Sequence, residues 1–189
     1  MASKNDVVIQ VIAETAKAIA GMAKFAVGIG AAALASKKLV AIGKDLLKAY
    51  GAQEDAQARL SGAIRATGRQ EEINQGQIEK LASQLQSVTR YGDEVTISAA
   101  AMLQQLANLD QKGLEKVIPS MQDFAAAMGV DLNKAATLIG KTLGSSTNAL
   151  SRYGIEIDAT ASTSEKLTQL TQAMNDKFAG TAELLANTS

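Results

Sequence analysis

Residues Ala135-Ala136-Thr137-Leu138-Ile139-Gly140-Lys141-Thr142 fit the loosest form of a phosphate-binding loop, with alanine where the first glycine should stand. The chemistry of such a loop needs glycine-rich backbone whose N–H groups wrap phosphate, placed between a strand and a helix. Here the residues fall in an apolar stripe of helical period, opened by Asp131 as a cap, and no hydrophobic strand precedes them. Lys141 is therefore expected as a solvated lysine near a helix C-terminus, where its charge is favourable. Gly28-Ile29-Gly30-Ala31-Ala32-Ala33 echoes a dinucleotide fingerprint, but Ala-rich sequence precedes it and Tyr50 stands where an acid would be needed. Close helix packing accounts better for those glycines.

The remaining candidates are weaker. Asp93-Glu94 reads as an acidic pair at a helix start rather than a catalytic dyad, whose carboxylates would converge from separate elements. Glu71-Glu72 reads as a solvated face. Ser145-Ser146-Thr147 lacks the glycine elbow of a hydrolase nucleophile and is expected to cap or turn the chain. Met102, Met121, Met128 and Met174 fall on apolar stripes, where filling the core is their expected work. The chain contains no His, Cys or Trp. That excludes a thiolate nucleophile, an imidazole base, a disulfide and any Cys/His metal site. No catalytic, cofactor-binding or metal-binding residue is assigned, no cofactor is expected, and the chain reads as non-enzymatic.

Charge gives no sign of a nucleic-acid partner. Nineteen Lys and Arg balance nineteen Asp and Glu over 189 residues. Residues 1–50 hold seven Lys against three acids, so the N-terminal part is mildly basic and the rest mildly acidic. The six aromatic residues are scattered, whereas a single-strand stacking surface needs several on one face. No cleavable export signal stands out, because the first apolar run begins late and contains Lys17 and Lys24.

These residues must be held by helices. Ala, Leu, Gln, Lys and Glu dominate, and Pro119 is the single proline. The fold class expected is all-α: a long Ala/Gly-rich N-terminal helix followed by a bundle of short amphipathic helices. Residues 7–50 read as one long helix or two in series. Ala16 to Ser36 is apolar on nearly every face, and Ala26/Gly30 and Gly28/Ala32 would admit a close helical neighbour. Leu39, Ile42, Leu46, Leu47 and Tyr50 continue at helical spacing, and Gly51 is placed to kink or end that helix. Leu60 and Ile64 share the next face, with a break at Thr67-Gly68.

The stripe Ile78, Leu81, Leu85 and Val88 is expected to stop at Tyr91-Gly92, with Gly92 as a left-handed cap and Asp93 capping the next helix. Ala99, Met102, Leu103, Leu106 and Leu109 form a face ended by Gly113. Leu114, Val117, Ile118, Met121, Phe124, Ala125 and Met128 make the most regular stripe, closed by Gly129. Pro119 lies inside it, so the helix either starts near Ile118 or carries the proline as a kink. Leu132, Ala135, Ala136, Ile139 and Leu143 follow. A short helix from Ser145 or Ser146 is expected to stop at Gly154, and Ile155 to Asp158 alternates as extended chain would. Ser162 and Glu165 have capping-box spacing ahead of Leu167, Leu170, Met174 and Phe178, with a break at Gly180. The domain division expected is 1–50 as an Ala/Gly-rich apolar helical segment, 51–92 as connecting amphipathic helices, and 93–189 as a compact multi-helix domain.

Three stretches taken together resemble the tape-measure proteins of bacteriophage tails. The first runs Leu85-Gln86-Ser87-Val88-Thr89-Arg90-Tyr91-Gly92-Asp93-Glu94. The second runs from Ile118-Pro119-Ser120-Met121-Gln122-Asp123-Phe124 through Met128-Gly129-Val130-Asp131-Leu132. The third runs from Ala135-Ala136 to Gly140-Lys141-Thr142-Leu143 and on to Ala149-Leu150-Ser151-Arg152-Tyr153-Gly154-Ile155. Their order and spacing are similar to the helical domain near the N-terminal side of many such proteins, over roughly residues 50–185. The resemblance implies a virion structural protein of a phage or prophage, engaged in tail assembly, tail-length determination and DNA delivery. It implies tail-tube and tail-assembly chaperone proteins as partners, and a place in the virion tail and, during assembly, the host cytoplasm. Some family members carry apolar segments that meet the host membrane, which would suit residues 16–36.

Family members are usually several times longer. A helix of this whole chain would span only about 280 Å, so a fragment, a truncated form or a short member is expected. An exposed apolar N-terminal helix would drive self-association or fold back on the C-terminal helices. The alternative reading is a membrane-active helical protein, pore-forming or membrane-inserting, acting through residues 16–36.

Overall fold

A computed structural model describes residues 32–188 of the chain. It is helical throughout the described residues: α1 (Ala32–Ala66), α2 (Gln75–Gln86), α3 (Asp93–Ala107), α4 (Gln111–Met128), α5 (Leu132–Gly144), a 3-10 turn (Ser151–Tyr153), α6 (Thr163–Phe178) and α7 (Thr181–Ala186). The all-α expectation holds. Of the expected N-terminal helix over 7–50, residues 32–50 are helical; residues 7–31, with most of the Gly28 motif and of the 16–36 segment, lie outside the described residues. The chain divides into two compact units, Met1–Tyr50 and Gly51–Ser189.

Local signals place most helix ends. Asn74, Asp110 and Asp131 cap α2, α4 and α5, each accepting backbone N–H bonds from the first turn, such as Asp110 Oδ1 from Gly113 at 2.7 Å. Ser162 and Glu165 form the complete capping box of α6. At the far end of α4, Gly129 turns left-handed at φ 60°. Its N–H donates to Ala126 O and that of Val130 to Ala125 O, the paired bonds of a Schellman ending.

Three glycines act otherwise than expected. Gly51 does not end the helix, which runs from Ala32 to Ala66. Gly92 is not a left-handed C-cap: α2 ends at Gln86, and Gly92, with φ −62° and ψ 153°, is the N-cap of α3. Asp93 is consequently the first helical residue and not the cap. Gly113 does not end α3, which stops at Ala107 with Asn108 left-handed at φ 47°; it lies in the first turn of α4. Pro119 sits well inside α4 and leaves the Glu115 carbonyl without its usual donor. In place of a helix from Ser145, only the short 3-10 turn forms before Gly154. Ile155 to Asp158 is irregular.

The core of the Gly51–Ser189 unit is one continuous apolar cluster. Leu60, Ile78, Ile97, Leu103, Leu114, Ile118, Met121, Phe124, Leu132, Ile139, Leu143 and Leu150 are its largest fully buried side chains. Residues 51–92 contribute Ala56, Leu60, Ala63, Ile64, Ile73, Ile78 and Ala82 to the same cluster as the later helices. Each large aliphatic side chain withdrawn from water stabilises the fold by about 1.5–3 kcal/mol. Phe124 anchors the centre, meeting Tyr153 edge-on at 5.2 Å and Phe178 at 5.9 Å. α3 packs most extensively on α5, and α4 on α6 and α7.

Candidate functional site

The phosphate-loop lookalike lies wholly within α5, so its backbone N–H groups face along a helix and not into a loop. Its glycine has a packing purpose. A Cβ on Gly140 would stand 2.7 Å from the Leu106 Cβ, and one on Gly144 would overlap the Leu106 carbonyl oxygen. Gly140 and Gly144 are one helical turn apart, and together they let the backbone of α3 approach α5 more closely than any side chain would permit. Thr142, where a magnesium ligand would be expected, is fully buried and accepts the Ala149 N–H at 3.0 Å. Lys141 is exposed in the last turn of α5, where it offsets the negative helix end.

The acidic pairs do not converge. Asp93 and Glu94 stand in the first turn of α3. The Asp93 carboxylate accepts from the Gln53 amide at 3.3 Å, and its N–H donates to Gln86 Oε1 at 3.1 Å, tying α1 and α2 to the start of α3. Glu71 and Glu72 are exposed on the connection before α2, and Glu72 is ion-paired with Arg69. Among the described residues, no group of three or more Asp or Glu comes together to hold a metal. Ser145 caps α5: its hydroxyl donates to Lys141 O at 2.7 Å and accepts the Thr147 N–H at 3.2 Å. Met121 and Met174 are buried in the core, and the Met102 sulfur accepts the Thr137 hydroxyl.

What sequence reasoning missed is polar and long-range. Gln122 of α4 is buried, donates to Thr96 Oγ1 at 2.9 Å and accepts from Thr89 Oγ1 at 3.3 Å. Thr96 in turn donates to Gly92 O, so the α2–α3 connection is tied into the core. Lys166 of α6 is 5% exposed and donates to Ser145 O at 2.6 Å; Lys177 donates to Gly154 O at 2.6 Å. One helix thus holds the long connection between α5 and α6 by two ammonium groups, one at the C-cap of α5 and one at the C-cap of the 3-10 turn. No sequence signal marks these lysines, since their acceptors are backbone atoms 21 and 23 residues away.

Electrostatics follow from these local contacts. The Tyr91 phenol is pushed above its ordinary value by burial, reinforced by the Asp131 and Asp123 carboxylates. Asp158 is held below the ordinary carboxylate value chiefly by the Thr160 hydroxyl, then by its N–H. Glu165 is held below it by the hydroxyl and N–H of Ser162. A surface hollow lined by Ser164, Glu165, Thr168 and Gln169 draws on α6 alone. No helix among the described residues is long and apolar enough to cross a membrane. Comparison with protein-family models, with curated proteins and with solved structures finds no match to this chain.

Proposed function

We propose that the chain is a structural module of the phage-tail tape-measure type, acting through helix–helix contact and without catalysis. One observation carries the reading: the three stretches that resemble the family fall on successive caps and junctions of a single packed unit. Residues 85–94 are the end of α2 and the start of α3. Residues 118–132 are the C-terminal part of α4, its left-handed ending and the Asp131 cap. Residues 135–155 are α5 and the clamped segment that follows. A similar order of weak words is more telling when the words are the joints of one core than when they are scattered over independent helices.

In this reading the Gly51–Ser189 unit is a folded body within a tail-assembly protein, and the N-terminal segment supplies helical surface for self-association. Ile42 and Tyr50 on α1 are 54% and 43% exposed, which supports such a role. The partners proposed are tail-tube and tail-assembly chaperone proteins, with the virion tail and the host cytoplasm during assembly as its locations. Tail-length determination, DNA delivery and membrane contact by residues 16–36 belong to the same proposal. The test is deletion of the gene from the phage or prophage that encodes it. Negative-stain microscopy should then show tailless heads or tails of aberrant length, and mass spectrometry should find the chain in wild-type tails. Normal tails that never contain the chain would falsify the proposal.

A further inference from the structure

α7 is short and takes its N-terminal cap from a distant helix. Six residues make too few internal hydrogen bonds to persist alone. Its N-cap is Gly180, which has no side chain to offer. The cap comes instead from Asp123 on α4, whose Oδ2 accepts the Gly180 N–H at 3.1 Å and whose Oδ1 accepts the Ala182 N–H at 2.9 Å. Such charge-assisted bonds to the free N–H groups of a helix start are among the stronger polar contacts a protein makes. A further tie joins the Arg90 guanidinium to the Thr188 hydroxyl at 3.2 Å, just past the helix.

Few α7 side chains are fully withdrawn from water. Ala182, 3% exposed, is the only buried residue of α7, and it lies outside the continuous core cluster. Leu184 is 66% exposed. The core therefore closes without α7, and removing α7 costs it no large side chain. The joint preceding it, Ala179 at φ −50°, ψ 131° and Gly180 at φ 77°, is a two-residue break in the helical path.

We infer that α7 is a hinged strap that leaves and regains the surface of α4 while the rest of the bundle stays folded, with Asp123 as its latch. A six-residue helix that takes its cap from a distant element and adds no side chain to the continuous core opens more often than that core does. Opening uncovers the flank of α4 around Asp123 and frees a carboxylate that is otherwise occupied by two backbone donors. The unit thus carries a surface that is present in one state and hidden in the other.

The absence of cysteine makes the test direct. Single thiols are introduced in the full chain by Ala182→Cys as the strap reporter and by Ala135→Cys as the core reporter, with Ala100→Cys as a second core reporter should the first disturb folding. Thiol-labelling rates are compared in the presence of native Asp123, Asp123→Asn and Asp123→Ala. The strap thiol should label much faster than either core thiol. Asp123→Ala should speed it about fivefold, and up to roughly thirtyfold, as loss of a helix cap does; Asp123→Asn should fall between. Core labelling, which needs the whole unit to open, should remain far slower than strap labelling in every variant. Equal rates at strap and core, moving together, would show that α7 opens only when the whole unit unfolds and would overturn the inference. A strap rate indifferent to both Asp123 substitutions would overturn the latch.

Discussion

Gly144 and Gly51 both lie on helical backbone, and the protein treats a methyl group at the two positions in opposite ways. At Gly51 a Cβ meets nothing within 4 Å, while at Gly144 it meets the Leu106 carbonyl oxygen. Gly51→Ala should therefore stabilise the chain by up to about 1 kcal/mol, the ordinary helix preference of alanine. Gly144→Ala should destabilise it by about 3 kcal/mol, since backbone cannot yield as a side chain can. Urea denaturation of the two variants gives both signs in one experiment. A neutral Gly144→Ala would mean that α3 and α5 are further apart than described. Tyr91 supports a second prediction at this scale. Its raised folded-state pKa contributes stability below pH about 10, the ordinary phenol value, and that stability is lost as pH rises through the folded value. Tyr91→Phe should flatten the alkaline limb of a stability–pH curve while leaving the neutral region nearly unchanged.

Among the elements, α6 has the clearest division of labour. Its start is specified locally by Ser162 and Glu165, three residues apart, and such a spacing can be read from sequence. Ser162→Ala should cost about 1 kcal/mol. It should also let the Glu165 carboxyl, now held low by that hydroxyl, rise toward its ordinary value in a carbon-detected titration. The other work of α6 is invisible in its own residues. Lys166→Met keeps the length of the buried stem but leaves Ser145 O without its ammonium donor. A loss of about 1.5–3 kcal/mol is expected, the range for a charged hydrogen bond, with the earliest exchange of amide protons in residues 145–158. The helix ends show the same contrast. Gly129 stops α4 because the next residues can close the Schellman bonds around it, whereas Gly92 and Gly113 have the same side chain and begin helices instead. A glycine permits a left-handed turn; the neighbouring bonds decide whether the turn is taken.

For the whole molecule, the expectation of self-association rests on α1. Exposed Ile42 and Tyr50 continue the spacing that Ala56, Leu60, Ala63 and Ile64 use to enter the core. Sedimentation velocity on the full chain should show an oligomer, and Ile42→Asp should shift it toward smaller species without changing its helical content by circular dichroism. A monodisperse monomer at tens of micromolar would remove the self-association part of the functional proposal and leave the fold as described.

The all-α class, the stripes of α4 to α6, the Asp131 cap and the capping box were legible in the amino-acid order, because a helix is closed by contacts three and four residues apart; the stripe expected on α3 was legible only in part, since Leu106 is exposed and Leu109 lies past the helix end. The absence of His and Cys likewise settled much of the excluded chemistry before any fold was known. The tertiary structure alone decided that Gly140 and Gly144 serve the approach of α3, that Lys166 and Lys177 bind backbone of a distant connection, and that Asp123 caps a helix more than fifty residues on. Those roles depend on which surfaces meet, and no local spacing carries that information: an acceptor supplied by a remote backbone atom leaves no residue type behind in the sequence.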